Sequence, residues 1–346
     1  MKTLKLIAAA LLAVTSWTAA EACSRVVYAG DKGYVLVGRT LDWRTPIPTN
    51  IYVYPRGVAK MSMPDGPNLT WTSKYGSVLA VSYDGGVTEG MNEKGLVMNG
   101  LFCKTAIYEE ASLTDGNKPI MSLSMLVSYF LDNFASVDEV ATWLDGNRYA
   151  ISGKTFDGGT VSALHWAITD TTGDTLIMEY NDGQLKTYRG KDLKVLTNDP
   201  AHPQMSAINN YWTAVGGVNM LPGSVRSADR YVRASFFINH VPTDFDYAQA
   251  LGSLESIMGT VSVPYGYELP GEPNVSSTQW RSVADATGGK YYFKFADETG
   301  DFWIDLRQID LREGASILKF DTVKKHNITG LANQYLEKTA GFTPMY

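Results

Sequence analysis

The sequence is poor in cysteine and histidine, and this shortage excludes several kinds of site. Its 346 residues include 2 cysteines and 4 histidines, and none of the histidines stands in a metal-ligand spacing. There is no phosphate-binding loop, no dinucleotide-binding fingerprint and no G-x-S-x-G motif. We therefore predict no metal and no organic cofactor, and we interpret the histidines as structural or surface residues. They are His165, His202, His240 and His326.

Charge is also scarce, and its balance is acidic. Charged residues make up 19% of the chain, and 30 Lys+Arg against 36 Asp+Glu leave a net charge of −6. Since no cluster of basic residues offsets this balance, nucleic acid is excluded as a partner. Hydrophobic residues reach 45% and aromatic residues 12%. This content excludes intrinsic disorder and favours a β-rich fold or an apolar ligand pocket.

Long apolar runs are missing except near the start of the chain. Lys2 and Lys5 precede the run Leu6–Val14, which is too short to span a bilayer. Ala20-Glu21-Ala22 then forms an A-x-A cleavage signal. We predict a secretory signal peptide over residues 1–22, cleaved after Ala22, and an exported protein without a membrane span.

Cys23 follows the predicted cleavage site directly, and three interpretations of it remain open. It could carry a lipid, although Glu21 fits a lipobox badly. It could pair with Cys103, the other cysteine, in an oxidising compartment. It could also be the first residue of a mature enzyme, with its thiol beside its own α-amine. Such an amine has a pKa of about 7.7–8.0, so it can take the thiol proton without help from a histidine.

Strand and helix patterns alternate in blocks along the chain. Strands are predicted at Ser24–Ala29, Tyr34–Thr40, Asn50–Pro55, Gly76–Ser82, Gly95–Leu101, Ser162–Thr169, Thr175–Tyr180, Lys194–Thr197, Trp280–Ala284, Lys290–Phe295 and Phe302–Leu306. Helices are predicted at Ser122–Phe134, from the capping box at Ser136 onward, at Asp229–Asn239 and at Tyr247–Met258. This order indicates a layered α+β fold. With no repeat or linker, residues 23–346 are predicted to form a single domain.

The block Gly38–Trp43 contains the first residues that could act with Cys23. A hairpin of the first two strands would bring Arg39 and Asp42 close to the start of the first strand. A guanidinium next to a thiol favours the thiolate, and a carboxylate could orient the α-amine. An ordinary salt bridge explains the same pair of residues.

Five sequence blocks in one order extend this interpretation. They are Cys23-Ser24-Arg25, Gly38-Arg39-Thr40-Leu41-Asp42-Trp43, Met91-Asn92-Glu93-Lys94-Gly95-Leu96, Leu196-Thr197-Asn198-Asp199-Pro200, and Leu221-Pro222-Gly223 followed by Ala228-Asp229-Arg230. Together they resemble the choloylglycine hydrolase/penicillin V acylase family of N-terminal nucleophile hydrolases, from Cys23 to about Leu306. The resemblance implies a four-layer αββα sandwich, a homotetramer and hydrolysis of a small-molecule amide.

The resemblance also implies a role for each matching residue. Cys23 would be the nucleophile with its amine as base, Arg39 would lie beside it, and Asp42 would hold the amine. Asn198 would help bind the tetrahedral oxyanion, and Arg230 would be a second active-site arginine. From local sequence alone, Asn198 is typical of a turn and Arg230 of a charged helix surface.

Phe102 departs from the family pattern, because it stands where the family has an asparagine or another oxyanion-hole residue. Its side chain cannot donate a hydrogen bond. We interpret Phe102 and Trp43 as walls of an aromatic pocket for a phenoxyacetyl group or an alkyl chain, with core packing as the alternative. Asn99 is a shifted candidate for the missing donor.

The short segment between Asn198 and Arg230 resembles the Gram-negative branch of the family. That branch is similar to penicillin V acylases, and some members act on long-chain N-acyl homoserine lactones. The resemblance therefore implies a periplasmic amidohydrolase for one of these two substrates. A conjugated bile salt hydrolase with the same mechanism is one alternative, and a non-catalytic periplasmic binding protein on this scaffold is another.

Overall fold

A computed structural model describes residues 23–109, 118–146, 149–153, 155–156, 160–268 and 276–346. The predicted signal peptide lies outside these residues. Within them, no helix is both long enough and apolar enough to cross a membrane.

Twenty-two strands and five α-helices make up the described chain. The strands are β1 (Ser24–Ala29), β2 (Val35–Trp43), β3 (Thr49–Tyr54), β4 (Ala59–Met61), β5 (Thr70–Thr72), β6 (Ser77–Ser82), β7 (Gly86–Asn92), β8 (Val97–Phe102), β9 (Ile120–Ser122), β10 (Ala150–Ser152), β11 (Thr155–Phe156), β12 (Thr160–Val161), β13 (Leu164–Thr169), β14 (Thr175–Asn181), β15 (Gln184–Gly190), β16 (Val195–Leu196), β17 (Ser277–Asp285), β18 (Lys290–Phe295), β19 (Asp301–Asp305), β20 (Leu318–Phe320), β21 (Gly330–Leu331) and β22 (Glu337–Lys338). The helices are α1 (Leu123–Asn133), α2 (Val137–Gly146), α3 (His202–Val215), α4 (Ser227–His240) and α5 (Tyr247–Val261). Short 3-10 turns lie at Leu306–Gln308 and Asn333–Tyr335.

Two large sheets form the centre of the fold. One has seven strands in the order β16-β1-β2-β17-β18-β19-β21, and the other has nine in the order β15-β14-β13-β8-β7-β6-β3-β20-β22. In the first sheet, β1 and β2 are antiparallel with Ser24 opposite Thr40 and Arg25 opposite Arg39. This hairpin register brings the end of β2, including Asp42, close to Cys23.

Three apolar cores separate the layers, and the side-chain alternation of β1 shows how. Val27 packs into the core between the two sheets, whereas Val26 and Tyr28 pack against α4 and α5 on the opposite face. The nine-stranded sheet presents its outer face to α1 and α2 in the same way, for example through Met98 and Trp166. Each sheet is thus buried on both faces, and the predicted α+β fold, a four-layer αββα sandwich, is confirmed.

Several elements depart from the sequence prediction, four of which bear on the sheets and helices around the site. The chain forms a further strand, β7, between the strands predicted at Gly76–Ser82 and Gly95–Leu101, and β15 extends the nine-stranded sheet. Helix α3 was not predicted because Met205 is the one buried hydrophobic residue in it, so it has no apolar stripe. Helix α4 begins at Ser227, two residues before the predicted start.

Candidate active site

Cys23 stands directly before β1, and its side chain is buried between the sheets. Its backbone nitrogen donates to Asn198 Oδ1 at 2.6 Å, and its thiol faces the backbone carbonyl of Asp42 at 3.9 Å. Arg39 Nη2 lies 3.8 Å from the sulfur, on the facing strand β2. The fold therefore gathers residues that are far apart in the sequence around one thiol.

Arg39 is a buried cation held by partners at both of its terminal nitrogens. Its Nη1 donates to Glu89 Oε2 at 3.0 Å, its Nη2 donates to the Gly100 carbonyl at 3.0 Å, and its guanidinium lies over the ring of Trp280. Burial opposes the charge, but Glu89, Cys23, Tyr291 and Asp42 together outweigh burial, and the pKa of Arg39 is raised. Arg39 thereby places a fixed positive charge beside the sulfur of Cys23.

Arg230 and Asn198 hold the other side of Cys23. Arg230, on α4, donates from Nη1 to the Cys23 carbonyl and to Ser24 Oγ, each at 2.6 Å, and from Nη2 to Asn198 Oδ1 at 2.8 Å. Asn198 Nδ2 donates to the Phe102 carbonyl at 2.7 Å. Asn198 reaches this place because β16 pairs with β1, and it is thereby held next to both Cys23 and β8.

Asp42 is a buried carboxylate with one oxygen still open. Thr40 Oγ1 donates to its Oδ2 at 3.1 Å, but its Oδ1 forms no well-aligned hydrogen bond with any residue that the structure describes. Burial raises the pKa of Asp42 to about 6, although Arg230, the hydroxyls of Thr278 and Thr40, and Arg39 act against the rise. The Cys23 nitrogen donates its hydrogen bond to Asn198. The contact between Asp42 and this nitrogen, which the family resemblance implies, is therefore not among the hydrogen bonds of the described residues.

An apolar pocket of about 400 Å³ opens on the thiol. Trp43 and Phe102 both line it, with ring centroids 5.5 Å apart. Leu41, Val87 and Leu164 add aliphatic walls. The pocket can therefore receive an apolar acyl group whose carbonyl carbon lies at Cys23.

Asn99 occupies a different place from the one the sequence indicated. Its Oδ1 accepts from Arg25 Nε at 2.8 Å, and its Nδ2 donates to Glu89 at 3.1 Å. Asn99 is absent from the residues lining the pocket in the described chain. Its amide instead forms a link in the buried network Arg25–Asn99–Glu89–Arg39, so we do not interpret it as a substrate-binding residue.

Glu89 is the important residue that sequence reasoning missed. Its side chain is fully buried, and besides Arg39 and Asn99 it accepts a hydrogen bond from Ser282 at 2.5 Å and another from Tyr291. The one available signal in the sequence was a carboxylate close to an apolar residue, Met91. Both residues lie buried in β7. A charge in such a place requires partners.

The two cysteines are separate in the structure. Cys23 and Cys103 are both buried free thiols, so the disulfide alternative is not formed. Cys103 lies beside His165, and although burial opposes ionisation, the imidazole outweighs it and lowers the pKa of Cys103. Among the described residues there is no group of three or more His, Cys, Asp or Glu side chains that could hold a metal ion.

The αββα sandwich and its buried cysteine site define the class of N-terminal-nucleophile-type hydrolases of linear amides. The chain belongs to the choloylglycine hydrolase family: the family of linear amide C–N hydrolases matches residues 23–325.

Individual relatives agree with this assignment. The chain is 36% identical over 337 residues to penicillin V acylase of Pectobacterium atrosepticum. The aligned region covers 91% of this chain and 89% of the relative. It is 25% identical over 299 residues to a bile salt hydrolase/transferase of Bifidobacterium longum, covering 80% and 92%. The structure of penicillin V acylase from Agrobacterium tumefaciens superimposes with a TM-score of 0.85 at 38% identity, covering 93% of this chain and 99% of that one.

Proposed function

We propose that this chain is an exported N-terminal cysteine amidohydrolase that cleaves the acyl amide of penicillin V or of a long-chain N-acyl homoserine lactone. The observation that carries the proposal is the placement of Arg39 3.8 Å from the Cys23 sulfur, where an apolar pocket opens on that thiol. Removal of residues 1–22 would make Cys23 the first residue. The family match, which also starts at residue 23, supports this boundary.

Acylation begins with the thiolate of Cys23. The sulfur attacks the amide carbonyl carbon, a C–S bond forms, and the carbonyl oxygen gains negative charge. The α-amine, which has received the thiol proton, then passes it to the leaving nitrogen as the C–N bond breaks. The products of this half-reaction are a free amine and a thioester on Cys23.

Asn198 is the proposed donor to the tetrahedral oxyanion. Its Nδ2 carries two hydrogens, of which the Phe102 carbonyl takes one, and the other is left for the substrate oxygen. Arg230 fixes the orientation of this amide by donating to Asn198 Oδ1 at 2.8 Å. A single donor of this kind contributes about 2.7–4 kcal/mol to lowering the barrier.

Deacylation uses the same groups on a water molecule. The neutral α-amine takes a proton from the water, the hydroxide attacks the thioester carbonyl, and the acid leaves as the thiol is restored. The open Oδ1 of Asp42 is suited to accept a hydrogen bond from the α-amine once that amine is free of the preceding residues. Asp42 would then orient the base in both half-reactions.

The walls of the pocket favour an apolar acyl group. Trp43 and Phe102 offer aromatic faces to a phenoxyacetyl ring, and Leu41 and Leu164 offer aliphatic contacts to an alkyl chain. The 36% identity to a penicillin V acylase supports the first substrate. The similarity to a bile salt hydrolase/transferase makes a conjugated bile salt the comparison substrate.

The test is a set of kcat/KM values for the exported, processed protein on penicillin V, an N-dodecanoyl homoserine lactone and glycocholate. We expect intact mass to begin at Cys23, and one of the first two substrates to be preferred. Cys23→Ser should remove turnover. Cys103→Ser is the matched control, since Cys103 is the other buried thiol and should leave turnover close to that of the parent.

Each other outcome has a definite meaning. Preference for glycocholate would overturn the substrate assignment while keeping Cys23 as nucleophile. A mature chain that starts elsewhere, or a Cys23→Ser variant with full turnover, would overturn the mechanism. Binding of all three compounds without release of amine would show a binding protein on this scaffold.

A further inference from the structure

One wall of the acyl pocket is formed by residues more than three hundred positions away from Cys23. Met345 and Tyr346 line the pocket together with Ser122 and Leu123, at the start of α1, and Gly86, the first residue of β7. Neither Met345 nor Tyr346 belongs to the family match, which ends at residue 325. Met345 and Tyr346 therefore place part of this wall outside the matched family region.

The segment that carries the wall is anchored firmly before it reaches the pocket. The Phe342 nitrogen donates to the Tyr54 hydroxyl at 3.1 Å, and the Phe342 ring packs edge-on against Tyr52 and Tyr54, with centroids 5.7 and 5.9 Å away. The rings of Tyr52 and Tyr54 belong to the apolar core under α1. Phe342 thus fixes the direction in which the chain enters the pocket.

Met345 itself is held more lightly. Its nitrogen donates to the Gly85 carbonyl at 2.9 Å, and its carbonyl accepts from Ser122 Oγ at 3.3 Å. A Cβ atom on Gly85 would lie 2.6 Å from Met345 Cγ, so glycine allows this close approach. The Met345 side chain remains 42% exposed.

A half-exposed methionine side chain at the edge of a pocket can change conformation and make room for a ligand. Its unbranched chain changes rotamer at small cost and contributes no polar group that a ligand would leave unpaired. Because Met345 lines the pocket, its displacement would enlarge the space for an acyl chain. Leu41, Trp43 and Phe102, which line the pocket beside Cys23, lie on strands of the two sheets.

We propose that Met345 and Tyr346 set the length of the acyl group that the enzyme accepts. With Met345 against Gly85, the pocket takes a compact acyl group, and a long alkyl chain enters only as Met345 moves aside. This inference rests on the proposed function, because it concerns the acyl pocket of that same reaction.

The test compares the parent enzyme with Met345→Ala, Tyr346→Ala and the double variant. Its substrates are penicillin V and a series of N-acyl homoserine lactones. Their acyl chains lengthen from about 6 to about 14 carbons, by two methylenes at a time. Each methylene that gains a contact should raise kcat/KM about fourfold. The optimum should therefore move to longer chains in the alanine variants, and Met345→Trp should move it to shorter ones.

Met61→Ala is the matched control, because Met61 is also 42% exposed but lies on β4, outside the pocket. Its chain-length profile should equal that of the parent. Profiles of Met345→Ala and Tyr346→Ala that follow the parent across the whole series would overturn the inference.

A binding measurement separates this inference from the proposed function. Dissociation constants of the free straight-chain carboxylic acids, followed through the fluorescence of Trp43 and the other tryptophans, should show the same shift in length preference. If the parent enzyme hydrolysed none of the amides, the proposed function would fail, and these constants would still decide the role of the wall. Equal preferences in the parent and alanine variants would overturn it.

Discussion

At the residue scale, Glu89 determines where the positive charge beside Cys23 lies. Its carboxylate accepts hydrogen bonds from Arg39, Asn99 and Ser282 in a place that water does not reach. Arg39 contacts the sulfur of Cys23, whereas Glu89 acts through Arg39 and is therefore a positioning residue.

We expect Glu89→Gln to lower kcat/KM about 10- to 100-fold, because a hydrogen bond to a charged group is worth about 1.5–3 kcal/mol. The rate of Cys23 alkylation by iodoacetamide should fall with it, and this second measurement separates positioning from simple loss of fold. Glu93→Gln is the control, since Glu93 pairs with Arg56 near the surface. An unchanged alkylation rate in Glu89→Gln would contradict the assigned role.

His165 is the buried residue behind Asn198. Its Nδ1 lies 3.1 Å from Glu179 Oε1 and its Nε2 lies 2.7 Å from the carbonyl of Thr197, the residue before Asn198. Two acceptors require two donors, so the ring is an imidazolium. Burial opposes this charge, but Cys103 and Glu179 outweigh it and raise the pKa of His165 to about 10.

This pKa gives the stability a pH dependence of known sign. Because the folded pKa lies above the unfolded value of about 6.5, the stabilisation is complete below pH 6.5 and is lost as pH rises through about 10. His165→Gln should cost about 3–5 kcal/mol at pH 6, as for a broken buried ion pair, and less at pH 10.

Urea unfolding of the parent and His165→Gln, measured from pH 6 to pH 10, gives the comparison. The control is His326→Gln, whose ring is largely exposed beside Glu298. A difference in unfolding free energy that stays constant over this range would show that His165 is not charged in the folded protein.

At the element scale, the packing of α1 on β7 depends on the absence of a side chain. A Cβ atom on Gly90 would lie 2.5 Å from the Val78 carbonyl oxygen and 2.9 Å from Leu131 Cδ1 of α1. Backbone on one side and helix on the other leave no room for it. The strand that carries Glu89 is thus pressed between β6 and α1.

Gly90→Ala should therefore lower the free energy of unfolding by about 1–3 kcal/mol through overpacking. Gly252→Ala is the matched substitution, because Gly252 is exposed on α5 and its Cβ would meet no described atom within 4 Å. That variant should gain about 0.4–1 kcal/mol, since alanine restricts the unfolded chain. Thermal unfolding monitored by circular dichroism measures both, and a stable Gly90→Ala variant would contradict the packing argument.

Sequence reasoning predicts the elements whose signals are local. The β1–β2 hairpin has two apolar runs and a glycine-containing turn, and this hairpin alone is enough to place Arg39 and Asp42 near Cys23. Helix α2 is a second case: Ser136 Oγ accepts from the Glu139 nitrogen at 3.2 Å, as the capping signal indicated.

The remainder depends on contacts that no local pattern contains. Asn198 and Arg230 come together only because β16 pairs with β1 and α4 packs on the same sheet, so only family resemblance could link them. Glu89 lies in β7, whose glutamate, asparagine and two glycine residues hide its strand character. Helix α3, with one buried hydrophobic side chain, offers no periodicity to detect.

At the scale of the whole molecule, exposed apolar side chains form a surface on the last turns of α3 and on the segment after it. Tyr211, Val215, Val218 and Met220 are 62%, 53%, 76% and 56% exposed. A neighbouring copy that covered them would remove this apolar area from water. The homotetramer that family resemblance implies stays a prediction, and this surface is where we expect one of its contacts.

Light scattering after size exclusion should give the mass of four chains for the parent. The variant Tyr211→Ser/Val215→Ser should give a smaller assembly, because it weakens the apolar contact. Ile107→Ser, at a residue 55% exposed elsewhere on the surface, is the control. A monomeric parent would show that the implied assembly does not form.

The two cysteines are divided between the two sheets. Cys23 directly precedes β1 of the seven-stranded sheet, and Cys103 directly follows β8 of the nine-stranded sheet; the side chains are 4% and 3% exposed. The chain has 2 cysteines in all, so it already contains one chemical reporter for each half of its sandwich. Pulse labelling with a thiol reagent, followed by peptide mass spectrometry, would record when each sheet opens during unfolding. The sulfur of Cys23 would thereby also record when the site around it assembles.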